Sequence, residues 1–311
     1  MNQAFSTLLF EWVNHLSGSS SELVGHNVEP WSRLDQRSSS AELRNFLLVG
    51  VESASDPTNQ VSLDLLRKYL SPLAWPLDEA QTLYDAGNLV DWSNLDMRNT
   101  IVAELVEQAI SKDIRPAIVH TESQADYGLF AGTCLSALRQ AASSVPGYIR
   151  LSPRLLTMSN ASDQASIAAE MYGLSKRCRQ VFQCLQLGVQ EAINPKSAWV
   201  EASGLGINAL TLAACEPDLL LLYLRNFCER TENVVLSLDL DVLSEAYAPG
   251  DHRTTSFGLS LEVLLPALRW IAGEGKLVGI EVTGIGTDMQ QAERRPRLAA
   301  SITQELLSHW F

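Results

Sequence analysis

Residues 235–250 read V-L-S-L-D-L-D-V-L-S-E-A-Y-A-P-G. An apolar run ends in two carboxylates one residue apart, Asp239 and Asp241, and a turn at Pro249-Gly250 follows. On an extended strand, residues i and i+2 point the same way. Both carboxylates are therefore expected to project together from the strand's C-terminal end, where open parallel sheets place their ligand sites. Two hard oxygen donors aimed at one point suit a divalent cation or, failing that, a guanidinium.

Outward from this stretch the same pattern recurs. Leucine-rich or β-branched runs at 45–51, 116–120, 147–151, 183–190, 209–212, 234–239 and 276–282 read as strands. Helical stretches at 61–70, 97–112, 127–142, 162–181, 217–230, 260–274 and 296–310 lie between or after them. Near-continuous apolar strands alternating with helices predict a parallel sheet covered on both faces. Residues 1–16 read as an amphipathic helix carrying Phe5, Leu8, Leu9, Trp12, Val13 and Leu16, and 17–40 as a loop or extended arm. Trp12 and Trp31 suggest that this arm docks on the domain or on a neighbouring subunit. The expected organisation is a helix and arm over 1–40 and one α/β domain over 41–311.

Composition narrows the class. At 46% apolar and 19% charged, the 311 residues hold ample material for a core. A net charge of −13 argues against nucleic-acid or anionic-membrane partners, which want Lys/Arg clusters. No signal pattern opens the chain, and no run approaches the roughly 20 apolar residues of a spanning helix. Cys134, Cys178, Cys184, Cys215 and Cys228 are odd in number, scattered and without metal-ligand spacing. Reduced structural thiols in a cytoplasmic protein are expected.

Further short motifs accompany the two aspartates: F-G-L-S at 257–260, L-G-V-Q with N-P-K in 187–196, D-A-G-N at 85–88 and Y-G-L-F-A-G at 127–132. In their order and spacing the chain resembles the ureohydrolase (arginase–agmatinase) superfamily, and most of all its formimidoylglutamase branch. The resemblance implies a three-layer α/β/α sandwich, doubly wound, around a mostly parallel sheet of about eight strands. It also implies a pair of Mn²⁺ ions at the strand C-termini, bridged by a hydroxide that attacks a guanidino or formimino carbon. Such a centre needs several carboxylates and imidazoles to neutralise the ions and lower the pKa of the bridging water.

The resemblance draws those ligands from three motifs, G-G-[DG]-H, D-A-H-x-D and S-x-D-x-D, and only the last stands in this sequence. Alignment on Tyr127-Gly128 puts H-T-E-S in the first place, with Ser123 at the ligand histidine. Alignment on Gly147 puts Ser152, Arg154 and Leu156 at the ligand positions of the second. The substrate-orienting Glu falls on Gly284. Asp239 and Asp241 alone remain. A guanidinium repels cations while its fork matches a carboxylate pair, so Arg154 is expected to pair with Asp239, Asp241 or both.

Other residues carry two readings each. His120 either recovers one metal contact through a register slip or, the plainer view, closes a strand and bonds locally. Glu122 either faces the cavity or begins the next loop. His252 either lines a pocket or sits exposed beyond the Pro-Gly turn. Asn194 and Lys196 either border a substrate carboxylate or form a solvated Asn-Pro turn. Glu281 reads as a strand carboxylate with a structural partner, and Asp85 as a turn or cap residue. Ser123 and Ser152 lack the partners of a serine nucleophile.

The expected function is therefore that of an arginase-like protein without its dimetal centre, acting as a non-catalytic binding or regulatory module with no cofactor. Its partner is an unidentified small molecule or protein, and the resemblance implies a homo-oligomer. The competing expectation is a C–N hydrolase of formimidoylglutamate-like substrates, with a mononuclear manganese site on Asp239, Asp241 and one of His120 or His252. The apolar C-terminal helix with Trp310 and Phe311 either joins an interface or packs within the chain.

Overall fold

The computed structural model describes residues 10–11, 28–31, 45–52, 59–74, 81–89, 95–123, 127–139, 146–158, 165–250, 255–286 and 293–310. Their strands in chain order are β1 (Phe10–Glu11), β2 (Val28–Pro30), β3 (Asn45–Val51), β4 (Leu83–Leu89), β5 (Ile114–His120), β6 (Gly147–Leu151), β7 (Cys184–Val189), β8 (Asn208–Thr211), β9 (Val234–Asp239) and β10 (Leu277–Thr283). The helices are α1 (Asn59–Leu70), α2 (Leu95–Ser111), α3 (Tyr127–Arg139), α4 (Ile167–Arg177), α5 (Lys196–Gly204), α6 (Pro217–Cys228), α7 (Leu261–Gly273) and α8 (Arg294–His309).

Eight strands run parallel in the order β4-β3-β5-β10-β9-β6-β7-β8. Both sheet faces are apolar because helices cover both. Side chains of α1, α6, α7 and α8 pack with Leu48, Val119, Leu236 and Val282. Those of α2, α3, α4 and α5 pack with Val49, Ile118, Tyr148 and Val235 on the other face. Burying such strands at about 25 cal/mol per Å² is what drives the three-layer assembly.

The winding positions the site. The chain leaves β5, crosses to β6 and builds outward through β7 and β8. It then returns to place β9 and β10 between β6 and β5. Such a reversal opens a crevice at the carboxyl ends of the flanking strands.

Several expectations are corrected here. Phe10–Glu11 is a strand antiparallel to β4, not a helical turn, and the rest of the expected 1–16 helix lies outside the described residues. The expected arm includes β2, which pairs parallel with β4, and Trp31 packs edge-on to Tyr84 at 6.1 Å. At Trp31, then, the arm docks on its own domain.

Asp85 lies inside β4 rather than in a loop, and there its Oδ1 makes the expected local Asx-type bond, accepting the Gly87 N–H at 2.8 Å. The strand escaped a hydrophobicity reading because its remaining polar groups are answered from afar. The fully buried Arg67 of α1 reaches Asp85 with Nε at 2.7 Å and Nη2 at 2.8 Å, and Asn88 Oδ1 with Nη1 at 2.6 Å. Gly50 is required beside them, since a Cβ there would stand 2.1 Å from Asn88 Oδ1. The Asn-Pro turn is followed at once by helix α5, with Pro195 as its N-cap.

The chain end packs within the molecule at Trp310. Its indole N–H donates to Leu277 O at 2.8 Å, and Arg115 donates to its carbonyl at 2.8 Å.

Candidate functional site

Asp239 is the last residue of β9, but Asp241 is not on the strand. The chain turns into a single 3-10 turn, Leu240–Val242, and Asp239 Oδ1 caps it by accepting the Asp241 N–H at 3.0 Å. A local Asx-type bond, rather than strand alternation, sets where the second carboxylate points.

Each carboxylate has its own hydroxyl and its own guanidinium. Asp239 Oδ2 accepts Ser152 Oγ at 2.9 Å and lies 3.5 Å from Arg150 Nη2. Asp241 Oδ2 accepts Ser123 Oγ at 2.9 Å, and its Oδ1 pairs with Arg295 Nη2. Arg150 also donates to Ser237 Oγ at 2.7 Å and to Ser123 O at 2.8 Å. The two carboxylate environments thus join through Ser123.

A second layer lies below, set by the strand register. Arg150 on β6 and Glu281 on β10 both pair with Ser237 of β9, so all three project to one face of the sheet. Glu281, wholly buried, accepts the Tyr148 hydroxyl at 2.7 Å. Arg150 Nη1 stands 3.6 Å away and His120 Nε2 at 3.8 Å. Glu281 therefore has the structural partners expected of it. His120 ends β5 and faces this layer.

Burial governs the electrostatics. It pushes the Asp239 carboxyl up to about 6, and repulsion from Asp241 adds to it; Arg150, the Asp241 N–H and Ser152 work the other way. Burial also opposes the Arg150 charge, but Tyr148, Asp239 and Glu281 outweigh it and hold the guanidinium above its ordinary value. Tyr148 is raised well above the usual phenol range by burial, with Glu281 adding to the effect.

The role expected of Arg154 falls to two other arginines. Arg154 is exposed, while Arg150 sits inside the sheet face and Arg295 comes from the first turn of α8. Arg150 left a signal in the sequence, a charge within an otherwise apolar strand. Arg295, more than 50 positions from Asp241, left none, because only the fold joins them.

The remaining candidates separate. Leu156 belongs to the core beneath α2–α5. Asn194 is spent on structure: it accepts Leu155 N at 2.8 Å and donates to Pro153 O at 2.8 Å and Gln190 O at 2.7 Å. Lys196 is exposed at the start of α5. Glu122 is half-buried, and its carbonyl accepts Gly284 N at 2.7 Å. His252 lies outside the described residues.

Gly284 stands at the centre with φ +77°, where a Cβ would meet Ser123 Oγ at 2.8 Å and Asp239 Oδ1 at 3.2 Å. Among the described residues, no three His, Cys, Asp or Glu side chains gather as a metal-binding group, and no helix is long and apolar enough to cross a membrane.

The doubly wound α/β/α sheet is of the arginase-like class of architecture. The family model described as "Arginase family" matches residues 132–308, more than half of the sequence. The chain belongs to the arginase family. A formimidoylglutamase of Aeromonas hydrophila subsp. hydrophila is 25% identical over 294 residues, covering 90% of each chain. One from Legionella pneumophila is 30% identical over 124 residues, 39% of each chain. The crystal structure of Bacillus subtilis formimidoylglutamase matches with a TM-score of 0.72 at 19% identity, covering 99% of this chain and 96% of that one. Agmatine ureohydrolase of Thermoplasma volcanium matches at 0.69 and 13% identity, covering 85% and 89%. At such identities the likeness to solved structures is one of fold.

Proposed function

We propose that this chain is a non-catalytic member of the arginase family, a cytoplasmic binding or regulatory protein whose own arginines stand where its relatives' resemblance implies a metal pair. The observation that carries this reading is the pairing of Arg150 with Asp239 and of Arg295 with Asp241. A guanidinium supplies the positive charge that keeps neighbouring buried carboxylates ionised. It also repels any divalent ion approaching the same oxygens.

The donor set supports the same reading. Ser123 and Ser152, which touch the aspartates, are neutral hydroxyls and cannot offset the charge of two divalent ions. The residues present do not fit a dimanganese centre, and we derive no hydrolytic step from them. Gly284 leaves no carboxylate at the substrate-orienting position, and the space a side chain would need there is taken. The five cysteines are all unpaired, as suits a reducing compartment.

The test is metal content by elemental mass spectrometry after incubation with Mn²⁺ and desalting, with hydrolysis assays on formimidoylglutamate, arginine and agmatine. Metal-free, inactive protein is expected. A stoichiometric ion pair with manganese-dependent turnover would overturn the proposal, and one tightly held ion would favour a mononuclear hydrolase. Light scattering after size-exclusion chromatography tests the homo-oligomer that the resemblance implies.

A further inference from the structure

The two edges of the parallel sheet are finished differently. Strand β8 is four residues long, and its pairing with β7 shifts register between Leu187 and Val189. A short, irregular edge is a poor template for a further strand. Strand β4 is seven residues long and is covered instead by the chain's own N-terminal arm. Strand β1 pairs antiparallel with Asn88 and Leu89, and β2 pairs parallel with Leu83, Tyr84 and Asp85. Trp31 follows β2 directly and lies edge-on to Tyr84 at 6.1 Å. The receiving surface is thus a strand edge with an aromatic seat, and the sequence that fits it is this chain's own 10–11 and 28–31.

The tether of that arm is longer than its place requires. Strands β2 and β3 flank β4, two strand spacings or about 9.5 Å apart. Pro30 is level with Asp85 and Phe46 with Leu83, so Trp31 and Asn45 are offset by about 13 Å along the strands. The straight span is therefore about 16 Å, whereas the thirteen residues 32–44 can cover up to about 45 Å.

We propose that the arm is an exchange element: at high chain concentration β1, β2 and Trp31 of one copy dock on β4 of a second copy, reciprocally, and so form a dimer. Every backbone bond and ring contact given up in cis is remade in trans. The balance is set by chain concentration against the effective concentration of the tethered arm, which is millimolar for short linkers. Pro30 offers no N–H to a further strand, so the assembly closes at two copies instead of running on as a longer sheet.

The experiment uses the full chain carrying Phe10→p-benzoylphenylalanine, which stands opposite Leu89 in the register. Equal amounts of ¹⁴N and ¹⁵N protein are equilibrated together and irradiated, and the masses of peptides joining position 10 to β4 are read. The mixed-label share should rise from near zero towards half of the total as chain concentration goes from about 1 μM to about 1 mM. Same-label crosslinks alone at about 1 mM overturn the proposal, even if the copies associate through some other surface.

A shortened tether gives a second reading. Deletion of residues 34–42 leaves four residues between Trp31 and Asn45, with a reach of about 14 Å that no longer spans the cis distance. This variant should be a dimer by light scattering at micromolar concentration, and a folded monomer overturns the proposal. Should it not fold, the isotope mixture of the full chain still decides.

Discussion

Arg150 of β6 and Asp239 of β9 face each other across neighbouring parallel strands, with Nη2 3.5 Å from Oδ2 and both side chains out of solvent. Glu281 stands 3.6 Å from Nη1 of the same guanidinium. One cation inside the sheet face therefore serves two carboxylates on two strands. Removing it leaves both without their main counter-charge.

Arg150→Met is accordingly expected to lower stability by about 3–5 kcal/mol, the usual cost of stranding a buried charge. The combination Arg150→Met with Asp239→Leu should cost less than the sum of the two single changes. Urea unfolding of the four proteins measures the coupling, and strict additivity would show that the pair does not interact.

Gly284 offers a test of crowding. Gly284 and Gly206 have nearly equal positive φ, +77° and +73°, but a Cβ at Gly206 would meet nothing within 4 Å. Gly206→Ala should therefore cost only backbone strain, about 1–3 kcal/mol. Gly284→Ala should cost clearly more, because its Cβ would also press on Ser123 and Asp239. Equal melting temperatures for the two variants would mean that the site can open to admit a side chain.

Asp239 gives stability a pH dependence whose sign is fixed by its raised pKa. Its carboxyl titrates near 6 in the folded protein against an ordinary value of 3.8, so folding favours the protonated form. This contribution is fully present below the unfolded value and is lost as pH rises through about 6. Wild type should thus gain stability relative to Asp239→Asn as pH falls from 7 towards 4. Parallel pH profiles for the two proteins would contradict the assignment.

Four of the five cysteines should be inert in the native state. Burial pushes Cys215 and Cys228 up to about 11, and Cys134 and Cys184 further still. Cys178 is only partly buried, and the positive charge of Arg177 tempers its upward shift. A disulfide reagent at pH 8 should modify Cys178 first and the other four only with denaturant. Early loss of Cys134 or Cys184, mapped by mass spectrometry, would show that the sheet opens more readily than its packing implies.

The strand–helix alternation was legible because parallel strands buried on both faces must be apolar almost throughout, and that is a local property. The 45–51, 147–151 and 234–239 runs coincide with β3, β6 and β9. Strand β4 was not legible, since Asp85 reads as turn chemistry until Arg67 arrives from α1 to pair with it and to bond Asn88. Likewise, Asp241 was placed correctly at the strand end, but on a strand rather than in the 3-10 turn that Asp239 caps.

The sequence by itself determined the fold, the family and the two aspartates at its centre, because periodicity and a contiguous motif are written along the chain. It also determined that a positive charge is needed beside them, because neighbouring carboxylates cannot both stay ionised unaided. Which arginines supply that charge was decided only by the tertiary structure. Arg154 is nearer in the motif alignment yet is exposed, while Arg150 and Arg295 reach the pair from a neighbouring strand and a distant helix. Coulomb attraction acts over a few ångströms of space and takes no account of separation along the chain.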